Sequence, residues 1–561
     1  MGGNTRFQIL ETTVDVEARQ AKERKIGSLN FVEGLDRRTL AITAFLLGIA
    51  IMLVHRPWKL TEIGDPAVYD YIAQSILRGQ IPYRDVVDIK GPGAGYLSAF
   101  AMLLGKTIGL RDIIAVRLMH VVMVGLLSTI IFVVAEIYLR NRFAAVIAFL
   151  IPLMPEHFAT MLVSGTQPKL PMILFGMITL LLIAKDKPLW AGVFSMLSCL
   201  CWQPGLMFTG TAVLIFSRYL TSWRDLRALK CMIGAAIPLI LVVSYFYSRS
   251  ALGDLWAWTI TYNYGTFGPE AKKSTVEALE KFWRVVLREF RPDTSGYGGN
   301  LIGRFRSRFE PAAGLLTLAM VPASLIGLLL FAIERARAKF RRNESIDSND
   351  SSDNIVRDAL LMPPVVYLVF CLINFQSGPD LIPFFPFIGI FAAWFLVRAG
   401  KFASSIGRSE SGGRHLVKQW YLPAFATMAI VLVLAARALT LRSESWTLES
   451  QDRELTAISE LLGPNDKIYV HGSVEILVLL NKPNLNPYVF LDWDADTFAG
   501  SRKPGGWSGI MDEMEAQAPK LVAISRLRAV THRADFERWV GAHYDKLEMP
   551  TYERIFIRRQ E

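Results

Sequence analysis

A short stretch near the N-terminus holds the side chains of this 561-residue chain that are best suited to chemistry. Asp65 is followed on the next turn by Tyr69, and Asp85, Asp88 and Lys90 come soon after. A carboxylate in a partly dry cavity can remove the proton of an attacking hydroxyl. An ammonium group can stabilise a negative charge that develops on a leaving group. We therefore expect Asp65 to act as a general base and Lys90 to bind an anion.

The residues around Asp65 predict how it is positioned. Gly64 and Pro66 flank it and place it in a turn. Apolar side chains at helical spacing then predict a short helix, which is expected to end at Gly79. A second turn leads into the apolar segment 94–110.

The composition predicts a membrane protein. Hydrophobic residues make up 52% of the chain, which is more than soluble domains usually carry. Long apolar segments in a bilayer must satisfy their own backbone hydrogen bonds, and so they form helices. About 11 transmembrane helices are predicted, near residues 39–54, 113–138, 143–162, 169–184, 188–202, 205–220, 231–247, 311–333, 359–375, 381–397 and 420–437.

The basic residues predict the orientation of these helices. The formal net charge of +11 comes from basic clusters between apolar segments. We therefore interpret the charge as a sign of membrane topology and predict no nucleic-acid partner. With residues 1–38 in the cytoplasm, every short basic loop falls on the inner side. This works only if residues 94–110 do not span, so we predict an interfacial helix within a first outer loop over 55–112. The predicted location is the cell inner membrane.

Two further outer regions are large. Residues 248–310 include an amphipathic stretch whose Arg284, Arg288 and Arg291 are candidate substrate-binding residues. Residues 438–561 alternate strand-like and helical patterns, which predicts a small periplasmic or extracellular α/β domain. The predicted fold is thus an all-α polytopic membrane domain over 39–437 with this α/β domain attached. Its strands are expected at KIYVHG, NPYVFLD, KLVAIS and ERIFIRR.

The first outer loop resembles that of the polytopic C-type glycosyltransferases. More narrowly, it is similar to the bacterial branch of the dolichyl-phosphate-mannose protein mannosyltransferase family, which includes the lipid A aminoarabinose transferases. The family pattern is an acid after the first helix, a tyrosine one turn on, then Ala, Gly, Pro, another acid and a Lys-Gly-Pro step. Here these positions are Asp65, Tyr69, Ala73, Gly79, Pro82, Asp85 and Lys90-Gly91-Pro92.

The resemblance implies an inverting transfer of a hexose or pentose from a polyprenyl-phosphate donor at the outer face of the membrane. The implied acceptor is a cell-envelope glycan, lipid or protein. Membrane lipids are expected to surround the protein. Asp65 would deprotonate the acceptor, Lys90 would stabilise the departing phosphate, and Tyr69 would orient the acid or a phosphate oxygen. Asp85, Asp88 and the arginines of the second large outer loop are the expected further substrate contacts.

The chain departs from the family pattern at several positions. Pro66 occupies the place where many members carry a second acid. In the outer connection VSGTQPKL, Thr166, Gln167 and Lys169 stand where relatives often have an acid. No metal ligands are assigned for this reason, and no cofactor is implied with certainty, although a divalent cation is left open. Asp380 stands where relatives often have a basic residue.

Simpler interpretations exist for each candidate residue. Asp65 is also suited to capping a helix, Asp85 and Asp88 to solvated loops, and Lys90 to an interfacial position that reaches water. The basic outer helix is equally consistent with a solvated surface. For the whole chain, the alternatives are a transporter or lipid flippase, or a non-catalytic envelope-assembly protein. A transporter predicts charges deep within several helices and a repeat of broken helices.

Overall fold

The structure is a computed structural model, and most of the residues it describes are helical. It describes residues 35–218, 225–263, 265, 275–289, 301–342, 350–375, 377–406, 421–439, 446–492, 494–525 and 530–559. The helices up to the first long loop are α1 (Arg37–Val54), α2 (Asp65–Leu77), α3 (Gly93–Thr107), α4 (Asp112–Leu139), α5 (Arg142–Leu150), α6 (Glu156–Val163), α7 (Lys169–Ala184), α8 (Pro188–Cys201) and α9 (Leu206–Ser217).

The following helices complete the apolar part of the chain. They are α10 (Arg227–Ser248), α11 (Leu252–Trp256), α12 (Thr275–Glu289), α13 (Leu301–Arg342), α14 (Asp350–Ile373), α15 (Phe385–Ile406) and α16 (Tyr421–Leu439). A turn of π-helix, Ala257–Tyr262, continues α11, and 3₁₀ turns precede α9 and α15 at Gln203–Gly205 and Gly378–Phe384.

Helices of membrane-spanning length are fewer than the sequence predicts. Each of the eleven predicted apolar segments contains a helix. Within the described residues, however, six helical stretches are long and apolar enough to cross a bilayer, whereas the apolar helices Arg142–Leu153, Lys169–Ala184 and Pro188–Cys201 are shorter. The six are Arg37–Val54, Asp112–Leu139, Arg227–Ser248, Arg308–Arg337, Gly378–Ser404 and Tyr421–Ala438.

The segment 143–162 is broken rather than continuous. It consists of α5, a 3₁₀ turn at Ile151–Leu153, and α6. Pro152 and Pro155 lie at the break, where each removes a backbone donor and clashes with the preceding turn of a helix. The connection between α6 and α7 contacts α2, where Thr166 N donates to Asp70 Oδ1 at 3.1 Å.

The predicted interfacial segment forms α3, which has 15 residues. That is shorter than the roughly 20 residues that a spanning helix needs. Its Ala99 and Met102 are buried against Ala73 of α2 and Val116 of α4. The helix is therefore packed firmly against its neighbours, while its depth in the membrane stays a prediction.

The C-terminal region forms a small α/β unit. Its sheet has the order β1-β2-β4-β3, with β1 and β2 parallel and the other pairs antiparallel. The prediction of a strand at NPYVFLD was wrong, because this stretch runs beside β1 without a ladder, its Val489 carbonyl accepting from Gly472 N. The elements are α17 (Leu448–Leu461), β1 (Ile468–His471), α18 (Glu475–Leu480), α19 (Ala495–Ser501), α20 (Gly506–Gln517), β2 (Leu521–Ile524), α21 (Arg533–His543), β3 (Tyr544–Leu547) and β4 (Ile555–Arg558).

This unit shares a hydrophobic core with α2. Tyr71 and Ile72 of α2 are buried together with Leu477 and Val489. The Tyr71 hydroxyl also accepts a hydrogen bond from Asn484 N at 2.7 Å. The C-terminal unit and the helix that begins at Asp65 are consequently packed as one body.

Candidate functional site

Two groups of buried charged side chains meet at α2. We call the first the lysine cluster, formed by Lys90, Lys169 and Asp380. The second, the arginine cluster, is formed by Glu62, Asp70 and Arg117. All six side chains are buried, although ionisable groups are rarely buried unless they are paired.

The lysine cluster is built from aromatic rings and one close ion pair. The Lys90 ammonium lies 4.7 Å from the centroid of the Tyr69 ring, and the Lys169 ammonium lies 4.7 Å from that of Trp202. Such cation–π contacts are strongest where water is excluded. Lys169 Nζ is also 2.9 Å from Asp380 Oδ1. The two lysines come from distant parts of the sequence and reach one place.

The groups of this cluster act on one another electrostatically. Burial, together with the positive charge of Lys169, lowers the pKa of Lys90 to about 8. The carboxylates of Asp65, Asp88 and Asp380 oppose that shift. Lys90 therefore keeps its proton at neutral pH and loses it only in mildly alkaline solution.

The backbone around Lys90 is held from three sides. The Tyr83 hydroxyl donates to the Lys90 carbonyl at 2.7 Å. The side-chain amides of Gln203 and Asn263 donate to the Ile89 carbonyl at 2.9 and 2.6 Å. The first outer loop is thus tied to the end of α8 and to the π-helical turn.

Asp88 and Gly91 shape the same loop. Asp88 is buried, and its Oδ1 accepts from the backbone N–H groups of Ile89 and Lys90 at 2.7 and 3.0 Å. Burial raises the pKa of Asp88 to about 6. A Cβ on Gly91 would lie 2.1 Å from the Leu200 carbonyl oxygen, so only glycine lets the loop rest on α8. Asp88 is therefore not a solvated acid, and Lys90, equally buried, does not extend into water.

A cleft beside Lys90 opens toward an apolar groove. Lys90, Trp202, Gln203 and Asn374 are among the residues that line the cleft. The groove runs between α9 and α14, is lined mainly by apolar side chains, and shares Gln203, Pro204 and Phe370 with the cleft. A polar head bound at Lys90 would have an apolar path for a long tail.

Asp65 lies close enough to Lys90 and Tyr69 for its charge to shift the pKa of both side chains. It is exposed and begins α2, while the N-cap residue is Gly64, which has a φ of 68°. Asp65 is thus not the N-cap, although an acid in the first turn also favours the helix dipole. Tyr69 lies one turn further on the same face. Burial raises the pKa of Tyr69 well above its usual range, with the charges of Asp88 and Asp65 adding to the shift.

Other predicted site residues lie apart from this cluster. Asp85 accepts from Ile81 N at 2.8 Å and pairs with Arg84, whose guanidinium lowers the pKa of that carboxyl. On α12, Arg284 and Arg288 are exposed, and Arg284 pairs with Glu280 at 2.5 Å. Helix α12 nevertheless packs on the Asp380 turn, with Phe282 at 6.1 Å from Phe384. Arg291 lies outside the described residues.

The arginine cluster is closed. Arg117 and Glu62 are fully buried and pair at 2.7 Å. The five N–H donors of a guanidinium all find acceptors here. Arg117 donates at 2.6–3.1 Å to the carboxylate of Glu62 and the backbone carbonyls of Pro57, Leu60, Thr61 and Ser164.

We infer that Glu62 and Asp70 share a proton within this cluster. Burial raises the pKa of Glu62 well above its usual range, and the neighbouring Asp70 adds to the shift. Burial also raises the pKa of Asp70, to about 6, against hydrogen bonds from Thr166. Glu62 Oε1 and Asp70 Oδ2 are the oxygens without a donor among the described residues. A proton between them leaves one negative charge to balance Arg117.

Most of these residues have no assigned role in the sequence-based predictions. Lys169 and Asp380 enter them only as departures from a family pattern, and Arg117 does not enter them. A charged residue within or beside an apolar segment is the signal that could have identified all three. Among the described residues no three His, Cys, Asp or Glu side chains come together as metal ligands.

The fold is similar to solved structures of two proteins. ArnT from Cupriavidus metallidurans bound to undecaprenyl phosphate superposes with a TM-score of 0.57 and 11% identity, covering 92% of this chain and 97% of that one. Its apo form gives 0.53 and 12%, with the same coverage. The archaeal oligosaccharyltransferase AglB from Archaeoglobus fulgidus scores 0.48 at 12% identity, covering 86% of this chain and 69% of that one.

Comparisons of sequence give no match. No protein-family model matches the chain, and no curated protein matches it. The chain therefore has the fold of ArnT, while its chemistry has to be argued from its own residues.

Proposed function

We propose that this protein is a membrane glycosyltransferase that moves a sugar from a polyprenyl phosphate to a hydroxyl group of an envelope acceptor. The observation that carries the proposal is the cleft at Lys90, which joins a buried ammonium group to an apolar groove. Few ligands other than a lipid phosphate need both a buried cation and an apolar groove. The ArnT structure of the same fold is bound to undecaprenyl phosphate, which supports this ligand class.

The proposed reaction assigns one task each to Asp65 and Lys90. The acceptor oxygen attacks the anomeric carbon while the bond from that carbon to the phosphate oxygen breaks. The bonding electrons stay on the polyprenyl phosphate, where the charge of Lys90 stabilises them. Asp65 takes the proton of the attacking hydroxyl. Attack opposite the departing phosphate inverts the anomeric centre.

The closed arginine cluster supports an enzyme over a transporter. The fully buried Arg117 lies on a helix of membrane-spanning length, but all of its donors are used within the protein. A transport pathway needs charges that face a water-filled cavity. The charge beside a cleft is instead that of Lys90, on which Asp65 at the start of α2 acts electrostatically.

The test is sugar transfer by the full-length protein in nanodiscs. Undecaprenyl-phosphate-linked hexoses and pentoses are supplied with an envelope extract, and released undecaprenyl phosphate is measured. We expect Asp65→Asn to slow the release about a hundredfold or more while the protein stays folded. Asp452→Asn, which removes an acid of the C-terminal unit that pairs with Arg111, serves as the matched control. An unchanged rate in Asp65→Asn contradicts the assignment of the base.

A further inference from the structure

Lys169 and Asp380 form a charged pair that the proposed mechanism does not yet use. Both side chains are almost completely buried, with 3% and 1% exposure, and they pair at 2.9 Å. A buried ion pair is seldom more stabilising than apolar side chains of the same size, because both charges lose their hydration. Its presence beside the cleft therefore calls for a reason other than stability.

The pair is linked to the cleft through Trp202. Trp202 lines the cleft together with Lys90, and the Lys169 ammonium lies over the Trp202 ring. The charges of Lys169 and Asp380 both act on Lys90, as the shift in its pKa records. Lys169 is thus close enough to the cleft to act on an anion bound there.

Asp380 is itself firmly held in its turn. Its Oδ2 accepts from Ser377 N at 3.2 Å, and its backbone carbonyl accepts from the Tyr367 hydroxyl at 2.8 Å. Asp380 can therefore stay in place if Lys169 moves toward the cleft. The long, flexible stem of lysine allows such a movement, which a rigid guanidinium fork would not.

The charge of the donor changes during the proposed reaction. In a sugar phosphate diester the phosphate carries one negative charge, whereas the released monoester carries about −1.5 to −2 at neutral pH. An interaction that strengthens as this charge develops accelerates the reaction more than one that is equal throughout. The single positive charge of Lys90 balances the charge of the diester. A second cation balances the additional charge of the monoester.

We propose that Lys169 is a second phosphate-binding residue, which Asp380 holds in reserve and which turns to the polyprenyl phosphate as that leaving group gains charge. This rests on the proposed function, since it takes the donor phosphate to bind at Lys90. Asp380 is then a competing anion, so its removal strengthens phosphate binding. A pair that serves only to hold α7 against the Asp380 turn makes the opposite prediction.

The experiment measures the Kd of undecaprenyl phosphate for the full-length protein in nanodiscs. Lys169→Gln is expected to weaken binding about tenfold to a hundredfold, the loss of one charge-assisted hydrogen bond, and Lys169→Arg to weaken it less. Asp380→Asn is expected to tighten binding several-fold, because asparagine can still accept from Ser377 N. The double variant Lys169→Gln/Asp380→Asn stays weak.

Each outcome decides between the two roles of the pair. If both single variants weaken binding alike and the double variant recovers it, the pair is structural and the proposal is overturned. Unchanged binding in Lys169→Gln overturns it as well, even when Lys90→Gln binds poorly and so upholds the donor site. If the wild type itself does not bind undecaprenyl phosphate, the proposed function fails first, and that result is separate from either of these.

Discussion

The arginine cluster and the lysine cluster are both buried and both touch α2, yet they are built on opposite principles. In the arginine cluster every donor of Arg117 is used within the protein. In the lysine cluster the cations rest on aromatic rings beside a cleft. A closed charge cluster stabilises the fold around it, whereas an open one retains attraction for a ligand.

The largest effect is expected for a substitution that disrupts the arginine cluster. Arg117→Met removes the cation and leaves a buried negative charge and four backbone carbonyls without their donor. We expect a loss of about 3–5 kcal/mol in the free energy of unfolding, measured by thermal unfolding in detergent and by the folded yield.

The control is Arg111→Met, which removes a half-exposed partner of Asp452. Such a surface pair contributes roughly 0–1 kcal/mol. Equal losses of unfolding free energy in the two variants would show that the Arg117 network stabilises the fold no more than a surface ion pair does.

The shared proton is the next feature to test. Glu62→Gln and Asp70→Asn each supply a fixed hydrogen at the place of that proton and leave one carboxylate for Arg117. Each single change is therefore expected to cost no more than about 1 kcal/mol, and the double variant about 3 kcal/mol or more. A double-mutant cycle of unfolding free energies measures this non-additivity. Additive costs would mean that both carboxylates are ionised in the folded protein.

The open cluster should lose function while it keeps the fold. Lys90→Gln removes the charge at the cleft, and we expect kcat/KM for sugar transfer to fall about a hundredfold or more. The unfolding temperature should stay close to that of the wild type. Lys106→Gln, which removes a half-exposed lysine paired with Asp112 at 3.8 Å, is the matched control. Loss of folded protein in Lys90→Gln would erase the contrast between the clusters.

The pH dependence of stability follows from the two raised carboxyl pKa values. The unfolded pKa values are about 3.9 for Asp and 4.3 for Glu, whereas burial raises the pKa of Asp70 to about 6 and that of Glu62 well above its usual range. The folded state then binds protons more tightly, so the cluster's contribution is complete below about pH 4 and is lost as the pH rises through 6. Unfolding temperatures of wild type and Glu62→Gln between pH 4 and 8 should diverge in this direction. Parallel curves would contradict the shared proton.

The smallest effect is expected on the exposed outer helix. Arg284→Ala removes one exposed partner of Glu280, and exposed pairs contribute little. We expect transfer rates within about twofold of the wild type. A larger loss of transfer rate would indicate that α12 contributes to the donor site. It would also show that exposed cations matter for transfer as well as buried ones.

The fold was more predictable from the sequence than the site. Hydropathy located a helix in each of the eleven predicted apolar segments, because lipid leaves the backbone of such segments no alternative to a helix. It did not locate the break at Pro152 and Pro155, since hydropathy averages over single residues. The stretch NPYVFLD has a strand-like pattern, but its partners are Gly472 and the His471 side chain rather than another strand.

The first loop of the site was predictable and its partners were not. Asp65, Tyr69 and Lys90 lie close in sequence, so their spacing on a helix and a turn was enough to relate them. Lys169 and Asp380 are brought together only by the packing of α7 against the turn before α15. A pairing across such a distance depends on tertiary structure that local patterns do not contain.

The central claim is that the open cluster binds a polyprenyl phosphate. The most direct test is an experimental structure of the full-length protein in nanodiscs with undecaprenyl phosphate. We predict the phosphate within hydrogen-bonding distance of Lys90 Nζ and the polyprenyl chain in the groove between α9 and α14. A lipid phosphate bound away from Lys90, with that groove empty of the chain, would contradict the account.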